Sequence, residues 1–222
     1  MRMARNSILA ALLLASAVST NAETFSWSAA RQRSKLAEGR ELTELTGGAT
    51  ITSDSTTIEA DSIELWGTDF RFAMCTGNVK ATDSERGISL TSRRLFYDRE
   101  EDIIRVDGFV DVQDFKNDVV LKGGFFEYFG KDEIAIIQIG VRILKVSEDA
   151  ELACRSEFAR YLREDEILEL SGMPSVTRND DLYKAARIII NLETDEIILE
   201  RDVSGTITTD SEEEEEPQTP EE

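Results

Sequence analysis

The chain has 222 residues, enough for one ordinary domain with a substantial core, and carries 45 acidic against 25 basic side chains and no histidine. A formal charge of −20 repels nucleic acid and anionic headgroups at long range, which speaks against a nucleic-acid partner and against purely electrostatic membrane docking. Without histidine, the commonest metal ligand and the commonest general base are both missing.

Arg2 and Arg5 precede a 12-residue apolar stretch, Ser7 to Val18, and the small residues of Thr20-Asn21-Ala22 follow it. This layout predicts a signal peptide over residues 1–22, cleaved after Ala22, and hence an exported, periplasmic protein. The competing reading, an uncleaved anchor helix, is disfavoured by the short apolar stretch. No cysteine lies near the cut, which argues against an acylated lipoprotein. Residues 23–48 read as an N-terminal segment with a weak helix, on the loose face of Leu36, Leu42 and Leu45, ended by Gly47-Gly48. Between residues 23 and 208 there are 23 bases against 37 acids, and Asp210–Glu222 adds eight acids with no base. That last stretch, 209–222, reads as a disordered acidic tail, either solubilising or acting as an acidic docking peptide.

Residues 49–208 repeat. Gly77, Gly108, Gly140, Gly172 and Gly205 follow one another at 31, 32, 32 and 33 residues, and an aromatic stands 11 residues before each of the first four, at Trp66, Tyr97, Phe129 and Tyr161. An acidic turn entering an apolar run recurs in phase at Glu101-Asp102-Ile103, Asp132-Glu133-Ile134, Asp165-Glu166-Ile167 and Asp195-Glu196-Ile197. Internal repetition of this length sets the architecture before any local feature does. Within a unit, Ile104, Val106, Val110 and Val112 around Gly108, and Leu168 and Leu170 before Gly172, follow the period of two of a half-buried strand. Each unit therefore reads as a hairpin, and the phased glycine as a bend or bulge recurring in every one. The expected class is all-β: antiparallel stacked hairpins with a period of about 32 residues. Phe70, Phe72 and Met74 interleave with Ala73 and Cys75, and Ile134 to Ile139 is likewise apolar on both faces, which predicts strands covered on both sides or facing a ligand or a neighbouring subunit.

No nucleophile elbow, phosphate-binding glycine loop or metal-spaced cysteine pair occurs, and the carboxylate pairs fall on the predicted turns among bases, as in Asp98-Arg99-Glu100. No catalytic set, metal site or cofactor is expected, and the chain does not read as an enzyme. Cys75 and Cys154 read either as two buried thiols or as one disulfide.

Thr76-Gly77-Asn78-Val79 resembles the recurring Leu-Thr-Gly-Asn-Val element of the OstA-like (LptA) family of lipopolysaccharide-transport bridge proteins, and Ile58-Glu59-Ala60-Asp61 and Tyr97-Asp98 resemble its flanking strands. The resemblance spans roughly Thr50 to Ile207. Cys75 departs from it, as does the lack of an acidic counterpart to Asp61 at Ser92, Gly124 or Ser156. It implies a β-jellyroll folded into an open V whose apolar trough holds the acyl chains of lipopolysaccharide or another glycolipid. The residues expected to line that trough are Ile58, Leu90, Leu95, Ile104, Val106, Leu121, Ile136, Leu168 and Leu170. It further implies edge-strand pairing with OstA-like domains of inner- and outer-membrane transport components, and a head-to-tail homo-oligomer. The alternative is a ligand-free, self-assembling β-scaffold of the cell envelope.

Overall fold

The computed structural model describes residues 25–35, 37, 39, 41–146 and 151–208. The predicted signal peptide and acidic tail lie outside the described residues. The strands are β1 (Phe25–Lys35), β2 (Leu42–Ser53), β3 (Thr56–Trp66), β4 (Phe72–Asp83), β5 (Ile88–Asp98), β6 (Ile103–Asp114), β7 (Val119–Phe129), β8 (Ile134–Val146), β9 (Glu151–Leu162), β10 (Ile167–Ser171), β11 (Ser175–Arg178), β12 (Asp181–Lys184), β13 (Arg187–Asn191), β14 (Ile197–Glu200) and β15 (Ser204–Thr206). They form one antiparallel sheet in which β1 to β10 pair in sequence order and β13 and β14 continue beyond β10. The all-β architecture of stacked hairpins predicted from the repeat is the one observed.

The weak helix expected between residues 23 and 48 is instead the outer hairpin of β1 and β2. Leu45 is fully buried and Leu42 pairs with Trp66, so these leucines follow a strand pattern and are captured by β3. Gly47-Gly48 does not end an element. It forms a bulge, where the β2–β3 register slips between Thr46 and Ala49. Tertiary pairing has overridden a weak local helical preference.

Every long hairpin slips register near its middle: between Thr76 and Val79 in β4, Asp107 and Val110 in β6, and Gln138 and Val141 in β8. The phased glycines sit at these slips with positive φ, +80° at Gly77, +123° at Gly108 and +62° at Gly140. Gly172, at +74°, separates β10 from β11, so there the bend becomes a break and the sheet divides into two wings. β9 serves both, pairing β10 through Phe158–Leu162 and β11 through Leu152–Arg155. Gly205 departs from the series: it lies in β15, paired with Tyr183, and its φ is not positive. At Gly77 only glycine fits, because a Cβ would stand 2.3 Å from Asp61 Oδ2, whose carboxylate accepts from the Asn78 amide at 3.0 Å. The Thr76–Val79 element is thus the corner of the strand, and Asp61 is the brace beneath it.

Bending the long strands at their middles turns one sheet into two facing arms. On one arm the inward residues Ile58, Ala81, Leu90, Val112, Leu121, Ile143 and Cys154 lie directly opposite one another in successive strands. On the other, Tyr97, Ile104, Tyr128, Ala135, Tyr161 and Leu168 do the same. These rows and their neighbours make one continuous core. Cys75 and Cys154 are free, buried thiols within it, each pushed up to about 12 by burial.

Candidate functional site

Folding the sheet brings its two rows of hairpin turns together, and charged side chains stitch them across the mouth of the V. Arg86, from the β4–β5 turn, donates to Asp83 in its own row at 2.8 Å. It also crosses to the other row, to the Gly130 carbonyl at 3.0 Å and to Asp102 at 3.1 Å. Arg163, from the β9–β10 turn, crosses the opposite way. Its Nε lies 2.7 Å from Asp114 Oδ2, and its Nη2 donates to the Arg86 carbonyl at 2.6 Å. Its Nη1 holds Glu133 Oε2 at 2.6 Å. Arg163 is 9% exposed and Asp114 only 3%, so this is a buried ion pair. Burial works against the Arg163 charge, but the hydrogen bonds of Asp114 and Glu133 outweigh it and raise its pKa. Asn117 continues the seam, donating to Asp114 at 2.9 Å and to the Tyr161 hydroxyl at 3.0 Å. Nearer the C-terminus, the Lys145 ammonium donates to the Leu192 carbonyl.

Beneath the seam lies an apolar space of about 40 Å³ between the arms. Leu90, Val112 and Leu121 line it from one arm, and Ile104, Phe126 and Tyr128 from the other. The Tyr128 hydroxyl is buried in this lining without a hydrogen-bond partner among the described residues. Outside the seam is a polar depression of about 500 Å³ that shares Arg86, Asp102 and Arg163 with the layer below. From outside to inside, the site is therefore polar depression, ion-pair seam and apolar interior.

Of the residues expected in the trough, Leu90, Ile104 and Leu121 line this space. Ile58, Leu95, Val106, Leu168 and Leu170 are buried in the core. Ile136 falls on the outward face, paired with Glu127 and Arg160, and Ile137 takes the inward place at 0% exposure. Ile134 to Ile137 are all apolar or small, so alternation alone does not say which parity points inward; pairing of Ala135 with Tyr128 decides it.

Sequence reasoning missed the seam, because its acids sit on hairpin turns and look solvated. A phase signal was present nonetheless. Arg99, Lys131 and Arg163 each stand two residues past a phased aromatic, and Asp83 and Asp114 are 31 residues apart. A base and an acid recurring at the repeat period mark turns that meet partners as well as water.

The fold and this site together define a folded all-β sheet that encloses an apolar interior beneath a charged seam. No family model matches the chain, and no curated protein matches it. Among solved structures it is similar to LptH, the LptA-homologous periplasmic component of the lipopolysaccharide transport device from Pseudomonas aeruginosa. The two are 13% identical with a TM-score of 0.34, over 69% of this chain and 95% of that one.

Proposed function

We propose that this protein is a periplasmic lipid carrier that holds the acyl chains of lipopolysaccharide or a related glycolipid between its two arms and passes them between the inner and outer membranes. The observation that carries the reading is the layering of the site, with an apolar interior running across successive strands under a polar roof. That arrangement matches a molecule with acyl chains at one end and a hydrated headgroup at the other. Such binding needs no reacting side chain, and each buried methylene adds about 0.8 kcal/mol. The space present, about 40 Å³, is far below the ~150 Å³ that admits even benzene. Loading therefore requires the arms to part, and the seam is where they part.

The two ends of the sheet support the partners. β1 at one end and β14 and β15 at the other have a strand on one side only, leaving backbone N–H and C=O groups for a further strand. OstA-like domains of membrane transport components, or a second copy head to tail, are the partners that fit these edges. The same edges favour a second reading, a self-assembling scaffold that carries nothing.

Native mass spectrometry of protein purified in mild detergent separates the two. The carrier retains acyl-bearing glycolipid and loses it in Ile104→Asp, with the circular dichroism spectrum unchanged. A lipid-free protein that forms filaments, indifferent to Ile104→Asp except in stability, establishes the scaffold instead.

A further inference from the structure

Across the outer face of the sheet runs a row of bases in a chain whose overall charge is −20. Lys122 on β7 stands opposite Arg142 on β8, and Arg142 opposite Arg155 on β9. Arg155 is opposite Ser175 on β11, Ser175 opposite Lys184 on β12, and Lys184 opposite Ser204 on β15. Residues directly opposite across antiparallel strands share a face, so all of these side chains point outward together. Lys122 is paired with Asp111 at 2.6 Å. Arg142, Arg155 and Lys184 are exposed and make no ion pair among the described residues. Like charges directly opposite repel and destabilise a sheet, yet Arg142 and Arg155 are placed so.

Two depressions join along this row. One, of about 230 Å³, is lined by Gly140, Arg142, Arg155, Glu157 and Met173. The other, of about 610 Å³, is lined by Met173, Ser175, Lys184 and Asp202. Met173, 84% exposed, stands at their junction. The acids in the groove are Glu157, whose Oε2 accepts from the Gly140 amide at 3.3 Å, and Asp202.

We infer that this groove is the docking site of the chain's own acidic segment, Glu212–Glu216. The chain runs out of the groove along β15 and leaves the described part at the far end of β12: Thr208 is tied to Asp181 Oδ1 at 3.0 Å, four residues past Ser204. Three strand spacings separate Ser204 from Arg155 and four separate it from Arg142, about 14 and 19 Å. Adding the advance from Ser204 to Thr208, the arginines lie about 19 and 23 Å from Thr208. Glu216 is eight residues on and reaches roughly 27 Å in extended chain. Fully extended, Glu214–Glu216 reach Arg155 and Arg142 while Glu212 and Glu213 reach only as far as Lys184, and tethering gives the run a millimolar effective concentration. Seated there, they relieve the repulsion between Arg142 and Arg155.

The test uses the whole exported chain with a nitroxide at Thr219→Cys; Cys75 and Cys154 are buried and stay unlabelled. Paramagnetic broadening of backbone amides is read at low salt and at half-molar sodium chloride. The docked segment broadens Gly140, Arg155, Ser175 and Lys184 at low salt and releases them at high salt, as screening demands. Arg142→Glu with Arg155→Glu abolishes the broadening, and adding lysines at 212–216 in that variant restores it. Both changes are on exposed side chains, and unshifted core resonances report that the fold persists. Broadening that is absent, or that ignores the charge reversal, overturns the inference. Broadening that grows with protein concentration also overturns it, because a second copy's tail is then the occupant.

Discussion

Removing the Arg163 guanidinium tests whether the seam holds the arms together. In Arg163→Ala the Asp114 carboxylate, 3% exposed, loses a two-point contact at 2.7 and 3.3 Å. Glu133 loses its partner at 2.6 Å, and the Arg86 carbonyl loses a donor. Breaking a buried ion pair from one side costs about 3–5 kcal/mol. Asp114 keeps the Lys116 and Asn117 amides and the Asn117 side chain, which sets the expectation near the lower end, about 3 kcal/mol. For a domain of this size that lowers Tm by about 6–12 °C. Replacing the pair with neutral residues, Arg163→Met with Asp114→Asn, removes both charges while an amide oxygen still accepts from the turn amides, and restores part of the loss. Urea unfolding of the three proteins measures the cycle, and the rate at which a fluorescent fatty acid enters the interior measures the latch. Arg163→Ala loads faster than the parent. A loss below about 1 kcal/mol, or a double variant no better than the single, refutes a buried seam.

Three further outcomes are expected. Gly77→Ala forces a Cβ to 2.3 Å from Asp61 Oδ2 at φ +80° and costs about 2 kcal/mol; adding Asp61→Ala removes the carboxylate from that contact but leaves the Cβ of residue 61 at 2.9 Å and about 1 kcal/mol of left-handed strain, so it restores only part of the loss, measured by denaturant midpoint. The thiols of Cys75 and Cys154, held protonated up to about 12, bind protons in the folded state that the unfolded chain releases from about pH 8.5. Stability is therefore fully present below that pH and falls as pH rises, by at most about 2.7 kcal/mol per pH unit for two sites. Cys75→Ala with Cys154→Ala flattens the curve between pH 8.5 and 10. At the acid end, burial lifts the Asp83 carboxyl but the Arg86 and Ser55 hydrogen bonds more than offset it, leaving its pKa lowered. Its contribution is present above the unfolded value near 3.9 and is lost as pH falls through the folded value, so Asp83→Asn selectively flattens the acid limb.

The repeat was legible because three successive units, at Gly77, Gly108 and Gly140, make the same bend, and only glycine tolerates the corner where Asp61 presses on Gly77. The inward faces were legible wherever polar residues alternate with apolar ones, as in Ile104-Arg105-Val106, and illegible at Ile134–Ile137 where nothing marks the parity. The N-terminal hairpin was hidden for a different reason. β1 is almost wholly exposed, so its sequence carries little hydrophobic pattern, and pairing with β2 rather than burial makes it a strand. The seam was least legible because an acid on a turn has the same local sequence whether it meets water or Arg163 from 49 residues away.

Bends and seam lie at opposite ends of each arm, so on the carrier reading one is the hinge and the other the latch, and the chemistry of the latch decides what opening costs. An apolar latch would leave its surface in water each time the arms parted, at about 25 cal/mol per Å². Arg86, Asp114, Glu133 and Arg163 are instead groups that water solvates well, and much of what they lose on separation is returned as hydration. The uncompensated cost of opening then falls on the interior beneath, on Leu90, Ile104, Leu121 and their neighbours. An acyl chain lying on those residues removes that cost and has no comparable contact with the closed form. A ligand shifts an equilibrium only by its differential affinity for the two states, and here that difference is the buried methylene area itself. On the carrier reading, a charged latch over an apolar interior opens in proportion to the length of acyl chain offered, and shortening the chain by four methylenes weakens loading by about 3 kcal/mol while leaving the lipid-free protein's stability unchanged.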